Sequence, residues 1–173
     1  GLAQGSANAQ SDDQDAQVIP DVWDLHIVGD GPERGAIEQL IASAGPQAVS
    51  RIHLLGYKSG EDLQREVGNA RFTVLSSEWR ENMPYSGLES LAAQTPIIGA
   101  RIGGIPELVE EGKTGVTFES GDAVDLLNSM RKCSAVSASS YSSMQRFCRE
   151  YVNARCLQNK YALTLIDLYE RVI

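Results

Sequence analysis

Short apolar runs alternate along the chain with segments whose apolar residues recur at helical spacing. The runs have the length and β-branched content of buried strands, and they occupy residues 24–28, 51–55, 72–75, 97–100 and 115–118. Helical spacing predicts helices between Pro32 and Gly45, after Ser86, and over residues 61–67, 106–110, 122–131, 138–152 and 157–172. Strands that alternate with helices roughly every 20 residues predict an α/β fold, a parallel sheet with helices on both faces. Such sheets bind ligands at the carboxyl ends of their strands.

The first residues differ in composition from the rest of the chain. Residues 1–17 contain no Lys, Arg or aromatic residue and are mostly Ala, Gln, Ser, Gly and Asp, so they bury too little apolar surface to offset the entropy lost on ordering. We predict a disordered acidic linker or loop over residues 1–20. One domain is predicted over residues 21–173, with residues 137–173 as closing helices. Asp13-Gln14-Asp15 has the spacing of a two-carboxylate metal motif, but no strand precedes it, and we interpret the match as chance.

Composition and charge limit the class of partner. The chain has 173 residues, of which 42% are hydrophobic, and this is enough for one domain with a core. A formal net charge of −8 argues against nucleic acid or an anionic membrane, since both partners favour a basic face. No apolar run approaches the ~18 residues of a membrane span, so any membrane position would be peripheral, at the inner face of the cell membrane. The three cysteines, Cys133, Cys148 and Cys156, follow no metal-ligand spacing and indicate a reduced, cytoplasmic compartment.

Two carboxylates, Glu81 and Glu89, are separated by seven residues. Glu81 is predicted in a loop at the carboxyl end of the strand at 72–75, and Glu89 in the first turn of the following helix. The free N–H groups of that helix then lie between them, an arrangement that suits a sugar attached to a nucleoside diphosphate. An alternative is a capping box, in which Ser86 accepts from the amide of Glu89 and Glu89 reaches back to Ser86, worth about 1 kcal/mol.

Two glycine pairs follow predicted strands. Gly29-Asp30-Gly31 resembles the start of a dinucleotide fingerprint, but the third glycine stands one place late, at Gly35, and a tight turn is favoured over nicotinamide binding. Gly103-Gly104 either lets the backbone approach a ligand closely or forms a simple turn, and the sequence leaves both open. The nearest cations, Arg80 and Arg101, are interpreted as exposed charges.

Taken together, these segments resemble the Rossmann-like, nucleotide-sugar-binding C-terminal half of a GT-B glycosyltransferase of retaining family 4. The resemblance covers about residues 22–130, and the matching segments, in order, are 28–33, 54–56, 81–89, 92–98, 103–107 and 112–115. The two final helices are similar to the closing pair of that family.

The resemblance implies a donor-sugar site around Glu81. Glu81 is expected to be the catalytic residue in a positioning and electrostatic sense, and to contact the donor sugar together with the backbone amides of Asn82 and Met83. The sequence departs here from the usual Glu-Gly-Phe-Gly of the family. Pro84 has no N–H, so one backbone donor of other members is missing.

The same resemblance implies the contacts of the nucleotide. The amides of Tyr85 and Ser86 are expected to meet the diphosphate, and Glu89 is expected to hold the ribose. The base is expected to lie along the residues that follow the second strand, namely Gly56, Tyr57 and Lys58.

The resemblance also implies the reaction and its partners. The donor would be a UDP- or GDP-hexose, transferred with retention and without a metal or other cofactor to a glycan or lipid-linked acceptor in polysaccharide biosynthesis. Family members begin this domain with a strand, a Gly-Arg…Lys-Gly loop and a helix, and an N-terminal domain binds the acceptor. Neither part is visible here, so the chain is expected to be a fragment, inactive by itself. Alternatives are a non-catalytic nucleotide-sugar-binding module and half of a nucleotide-sugar epimerase.

Overall fold

The computed structural model describes residues 23–156 and 158–172. Within these residues the strands are β1 (Leu25–Val28), β2 (Ile52–Gly56), β3 (Thr73–Leu75), β4 (Ile97–Ala100) and β5 (Gly115–Phe118). In the same part of the chain the helices are α1 (Arg34–Ser43), α2 (Pro46–Arg51), α3 (Gly60–Asn69), α4 (Tyr85–Ala92), α5 (Ile105–Leu108), α6 (Ala123–Ser134), α7 (Ala138–Arg155) and α8 (Gln158–Val172). The predicted linker over residues 1–20, with its Asp13-Gln14-Asp15 motif, lies outside the described residues.

The predicted parallel α/β fold is confirmed, but the strands form two sheets. β1 pairs with β2, and β4 lies between β3 and β5, with every pair parallel. In a doubly wound sheet of order 3-2-1-4-5-6 the first strand is central. On its two sides lie strands 3 and 2 and strands 4, 5 and 6, and the pair and the triplet described here have the orders of these two groups. The alternation of elements along the chain predicts that strands are parallel, but it does not predict which of them are neighbours.

One helix, α2, was not expected from the sequence. Gly45-Pro46 was interpreted as the end of a helix, and α1 does end at Ser43. Pro46 then occupies the first position of α2, after Gly45 at a φ of 97°. Proline favours this position because its fixed φ is helical and its missing N–H would have had no acceptor there. The same dipeptide therefore ends one helix and begins the next.

The core surrounds β4, whose four residues are all buried. Because side chains alternate along a strand, Ile97 faces one apolar cluster and Ile98 and Ala100 face another. The first cluster contains side chains from α4, α5 and α7, including Leu91, Leu108 and Cys148. The second contains Ile105, Phe118 and Cys133, with Leu126 and Met130 of α6 packed against it. Helices thus cover both faces of the three-stranded sheet.

The β1–β2 half has no comparable core. Among the described residues, none before Pro84 is buried, and α1, α2 and α3 bury no residue. A cluster of rings at the amino ends of the strands joins the two halves: the rings of Trp23 and Phe72 are 5.9 Å apart, and Arg71 lies over Trp23 at 5.1 Å. The apolar side chains left exposed on this half include Leu25, Leu40 and Val49.

The final helices differ in how closely they pack. α7 lies against α4 and buries Met144, Cys148 and Tyr151, and the Tyr151 hydroxyl donates to the carbonyl of Glu107 at 2.7 Å. α8 exposes its apolar side chains, among them Leu163 and Ile166. None of the helices in the described part of the chain combines the length and apolarity that crossing a membrane requires.

Candidate functional site

The candidate site begins in the loop that leads from β3 to α4. Glu81 is exposed in this loop, and the Ser77 hydroxyl lies 3.2 Å from its Oε1 atom as a donor. The same hydroxyl oxygen accepts from the backbone N–H of Trp79 at 3.3 Å. Ser120, after β5, donates to the carbonyl of Ser77 at 3.1 Å. The Trp79 carbonyl is a second acceptor within reach of this hydroxyl, at 3.3 Å, and the Glu81 carboxylate is the nearer of the two.

The amino end of α4 is open to solvent beside Glu81. Pro84 is the N-cap residue, is buried and has no N–H of its own. Tyr85 and Ser86 occupy the first two helical positions, where amides have no acceptor within the helix. The Tyr85 side chain is 82% exposed, and Ser86 is exposed as well. This helix end presents main-chain donors and a partial positive charge to any anion that reaches it.

The capping box, which was the alternative interpretation of Ser86 and Glu89, is not formed. α4 begins at Tyr85, so Ser86 lies inside the helix, and no side chain caps its amino end. Proline at the N-cap position moved the start of the helix ahead of Ser86. Glu89 therefore stands one full turn beyond Tyr85, exposed, at the rim of a cleft of about 320 Å³ between α3 and α4. The other residues that line this cleft are Leu63, Gln64, Val67, Ala92 and Ala93.

The Gly103-Gly104 pair approaches the Glu81 loop closely. The amide of Gly104 donates to the carbonyl of Glu81 at 2.7 Å. A Cβ atom on Gly104 would overlap the carbonyl of Asn82, and one on Gly103 would lie 2.8 Å from the backbone nitrogen of Glu81. Gly103 also has a φ of 55°. The sequence left open whether the backbone of Gly103-Gly104 approaches a ligand or forms a simple turn. In the structure this backbone packs closely against the loop that carries Glu81.

Arg101 has a structural role that its sequence position did not indicate. Its guanidinium reaches Asp125 at 2.9 Å, Glu119 at 3.3 Å and the Thr117 hydroxyl at 3.1 Å. The backbone N–H of Glu119, followed by the Arg101 guanidinium, holds the pKa of Asp125 below its usual range. Arg101 is exposed, as expected, but its charge is directed at carboxylates after β5 and in α6.

The residues expected along the base lie at the end of β2. Gly56 has a φ of 70°, and its carbonyl accepts from the amide of Gly29 at 2.8 Å. The Tyr57 side chain is 78% exposed. Lys58 is half-buried and bonded to Glu66 of α3 at 2.6 Å, so its charge is already partnered. α3 therefore contacts both sets of candidates. Its Glu66 binds Lys58, and its residues Leu63, Gln64 and Val67 line the cleft that contains Glu89.

The structure therefore groups the expected residues in two places. Glu81, Asn82, Met83, Tyr85 and Ser86 lie together where β3 leads into α4, while Gly56, Tyr57 and Lys58 lie at the end of β2. Glu89 lines the cleft between α3 and α4. Sequence reasoning missed Ser77, whose hydroxyl accepts from the amide two residues further on, as in a serine turn. Within residues 23–156 and 158–172, no group of three or more His, Cys, Asp or Glu side chains could hold a metal ion.

Sequence comparison relates most of the chain to one family. A family model described as Glycosyl transferases group 1 matches residues 13–135. The sulfoquinovosyl transferase SQD2 of Arabidopsis thaliana is 33% identical over 110 residues, which are 62% of this chain and 20% of that protein. The N-acetyl-alpha-D-glucosaminyl L-malate synthase of Bacillus anthracis is 36% identical over 98 residues, 57% of this chain and 24% of that protein. The chain thus spans about a fifth to a quarter of these relatives.

Solved structures resemble the chain over nearly its whole length. HepE of Anabaena, in complex with UDP, superposes with a TM-score of 0.72 at 20% identity, over 86% of this chain and 42% of its own. Sucrose-phosphate synthase from Thermosynechococcus elongatus gives a TM-score of 0.71 at 25% identity, over 86% of this chain and 38% of its own. Because each similarity extends over 86% of the chain, neither is confined to one of the two sheets.

Proposed function

Because the chain belongs to the group 1 glycosyl transferases and shares the GT-B fold of the matching structures, we propose that it carries the nucleotide-sugar donor site of a retaining glycosyltransferase. The observation that carries the proposal is the open amino end of α4, with Glu81 before it and Glu89 one turn beyond Tyr85. Exposed main-chain donors flanked by two exposed carboxylates match a ligand with a diphosphate between two hydroxyl-bearing sugars.

Each part of the donor has a proposed place. The diphosphate lies on the amides of Tyr85 and Ser86, the ribose hydroxyls on Glu89, and the base along Gly56, Tyr57 and Lys58. The hexose lies against the carboxylate of Glu81 and the amides of Asn82 and Met83. UDP is the nucleotide named for HepE, which supports a UDP-hexose as the donor, with GDP-hexose as the alternative.

The proposed chemistry relies on main-chain dipoles. As the bond between the sugar and the diphosphate breaks, negative charge develops on the departing phosphate oxygen, and the amino end of α4 stabilises it without a metal. Glu81 positions the sugar and stabilises the oxocarbenium-like carbon while the acceptor enters on the face that the leaving group vacates. The acceptor, a glycan or lipid-linked glycan, is held by an N-terminal domain, so we expect the chain alone to transfer no sugar.

A second candidate, a nucleotide-sugar-binding module without transfer activity, is favoured by one observation. Lys58 and Arg101 are both bonded to carboxylates of the protein itself. Neither side chain is therefore held in place to neutralise the charge of a departing diphosphate. Transfer by the protein joined to its acceptor-binding domain would exclude this candidate. A nucleotide-sugar epimerase would instead convert the donor into an isomer in the absence of any acceptor.

Titration calorimetry with UDP, GDP and ADP tests the donor site. We expect measurable binding of UDP or GDP, and a loss of roughly tenfold in affinity for Glu89→Ala, which removes charged hydrogen bonds to the ribose. Glu78→Ala is the control, because it removes an exposed carboxylate from the loop that precedes α4 and should bind as the wild type does. If Glu89→Ala and Glu78→Ala bind equally well, Glu89 does not hold the ribose.

A further inference from the structure

The connection between β5 and α6, residues 119–122, contacts the Glu81 loop by two separate routes. On one route Ser120 donates to the carbonyl of Ser77, and the Ser77 hydroxyl donates to the carboxylate of Glu81. On the other route Glu119, with Asp125 just inside α6, binds the guanidinium of Arg101. The first route ends on the side chain of Glu81, and the second leads to its backbone.

The second route passes through the loop that follows β4. The amide of Arg101 donates to the carbonyl of Phe118 at 2.7 Å and continues the β4–β5 pairing by one residue. Ile102 packs into the apolar cluster against α6. Gly104 then donates to the carbonyl of Glu81, with no room for a side chain between the two loops. A displacement of Arg101 would therefore reach Glu81 through main-chain atoms.

The acceptors of Arg101 are themselves fixed in place. Asp125 accepts from the amide of Glu119 at 2.7 Å, and its own amide donates to Asp122, the N-cap residue of α6, at 3.0 Å. The Thr117 amide donates to Glu111 at 2.8 Å. The β5–α6 connection is thus an ordered support, because Asp122 and Asp125 each accept two hydrogen bonds and the Glu119 carboxylate pairs with Arg101.

We propose that the β5–α6 connection positions Glu81 for the hexose of the donor, with Arg101 and Ser120 as the positioning residues. The inference rests on the proposed function, since it needs Glu81 to contact the sugar. Neither residue contacts the nucleotide in this proposal, so their loss weakens recognition of the hexose and leaves recognition of the nucleoside unchanged.

Saturation-transfer NMR of the 173-residue chain with UDP-glucose tests the proposal, because it reports contacts of the glucose protons and of the uridine protons separately. For Arg101→Gln and Ser120→Ala we expect the glucose signals to fall severalfold relative to the uridine signals, because the hexose is no longer held close to the protein by Glu81. Ser120→Thr keeps the hydroxyl and should restore the wild-type ratio. Lys113→Gln, which breaks an exposed ion pair with Glu110 before β5, should leave the ratio unchanged.

The outcomes separate the two proposals. An unchanged glucose-to-uridine ratio in both variants, with thermal midpoints close to the wild type, overturns the positioning role and leaves the donor site intact. Absence of any uridine signal in the wild type removes the proposed function, and the positioning role falls with it. If Arg101→Gln fails to fold, Ser120→Ala decides, since it removes a single part-buried hydrogen bond and no charge.

Discussion

The amide of Gly104 lies 2.7 Å from the carbonyl oxygen of Glu81, and this hydrogen bond joins the two loops of the candidate site. A methyl group on Gly104 would overlap the carbonyl of Asn82, so Gly104→Ala must separate the loops. We expect a loss of about 1–3 kcal/mol in the free energy of unfolding, the usual cost of overpacking. Chemical denaturation measures it.

Gly68→Ala is the matched control for that prediction. Gly68 lies in α3, and no atom is within 4 Å of the position of an added Cβ. Alanine there should stabilise the chain by about 0.5–1 kcal/mol, because glycine weakens a helix. Equal effects of the two substitutions would contradict the close approach of the loops.

Glu66 makes the stability of α3 depend on pH. The Lys58 ammonium, followed by His26, holds the pKa of Glu66 below its ordinary value of 4.5. A carboxyl whose pKa is lowered by folding stabilises the protein above its unfolded pKa, and this contribution is lost as the pH falls through the folded value. Glu66→Gln should therefore melt below the wild type at pH 7, and the difference should shrink as the pH falls below 4.5 and through the lowered pKa of Glu66.

Differential scanning calorimetry between pH 3 and pH 7 measures this difference, with Glu33→Gln as the control. Glu33 is an exposed carboxylate at the start of α1 that makes no capping hydrogen bond. Its removal should change the melting temperature little at either pH. A Glu66→Gln difference of the same size at pH 3 and pH 7 would show that the ion pair is not its cause.

The cysteines should differ in reactivity. Burial raises the pKa of Cys133 and of Cys148 to about 12, and both side chains are fully buried, whereas Cys156 is exposed. A disulfide reagent at pH 8 should modify one thiol rapidly in the native chain and three in denaturant. Cys156→Ser should abolish the rapid phase, and its persistence would place a second thiol at the surface.

Core substitutions should distinguish the two halves of the molecule. Leu91→Ala removes a fully buried side chain beside β4 and should cost about 2–5 kcal/mol. Leu40→Ala changes a side chain that is 69% exposed on α1 and should stay within about 0.5 kcal/mol of the wild type. Urea denaturation of both variants measures the contrast, and equal losses would place an unrecognised core on the β1–β2 half.

Periodicity predicted most elements because strands and helices differ in how often an apolar residue recurs. β4 and β5 have the predicted boundaries, and the other predicted elements begin or end within a few residues of theirs. It could not predict the division into two sheets, since strand neighbours depend on contacts between distant segments. It also missed α2, because Gly45-Pro46 has the same appearance whether a helix ends or begins there.

The sequence predicted those parts of the candidate site that depend only on the order of strands, loops and helices. The open start of α4 and the loop position of Glu81 follow from a strand, a loop and a helix in sequence. Arg101 and Ser120 were not predictable as supports of Glu81, because their partners lie 16 or more residues away along the chain. The start of α4 was predicted after Ser86, but the helix begins at Tyr85. Pro84 is its N-cap residue, and this proline makes no side-chain hydrogen bond that the sequence could indicate.

The lack of buried residues between positions 23 and 83 has a consequence for ligand-linked dynamics. Segments with little buried apolar surface open at a lower free energy than the whole molecule, so amide hydrogens in β1 and β2 should exchange with solvent before those in β4. Tyr57 belongs to this weaker half, whereas Glu89 belongs to the stronger one. A nucleotide bound to both Tyr57 and Glu89 would stabilise the weaker half against local opening, and it would slow hydrogen exchange in β2 far more than in β4.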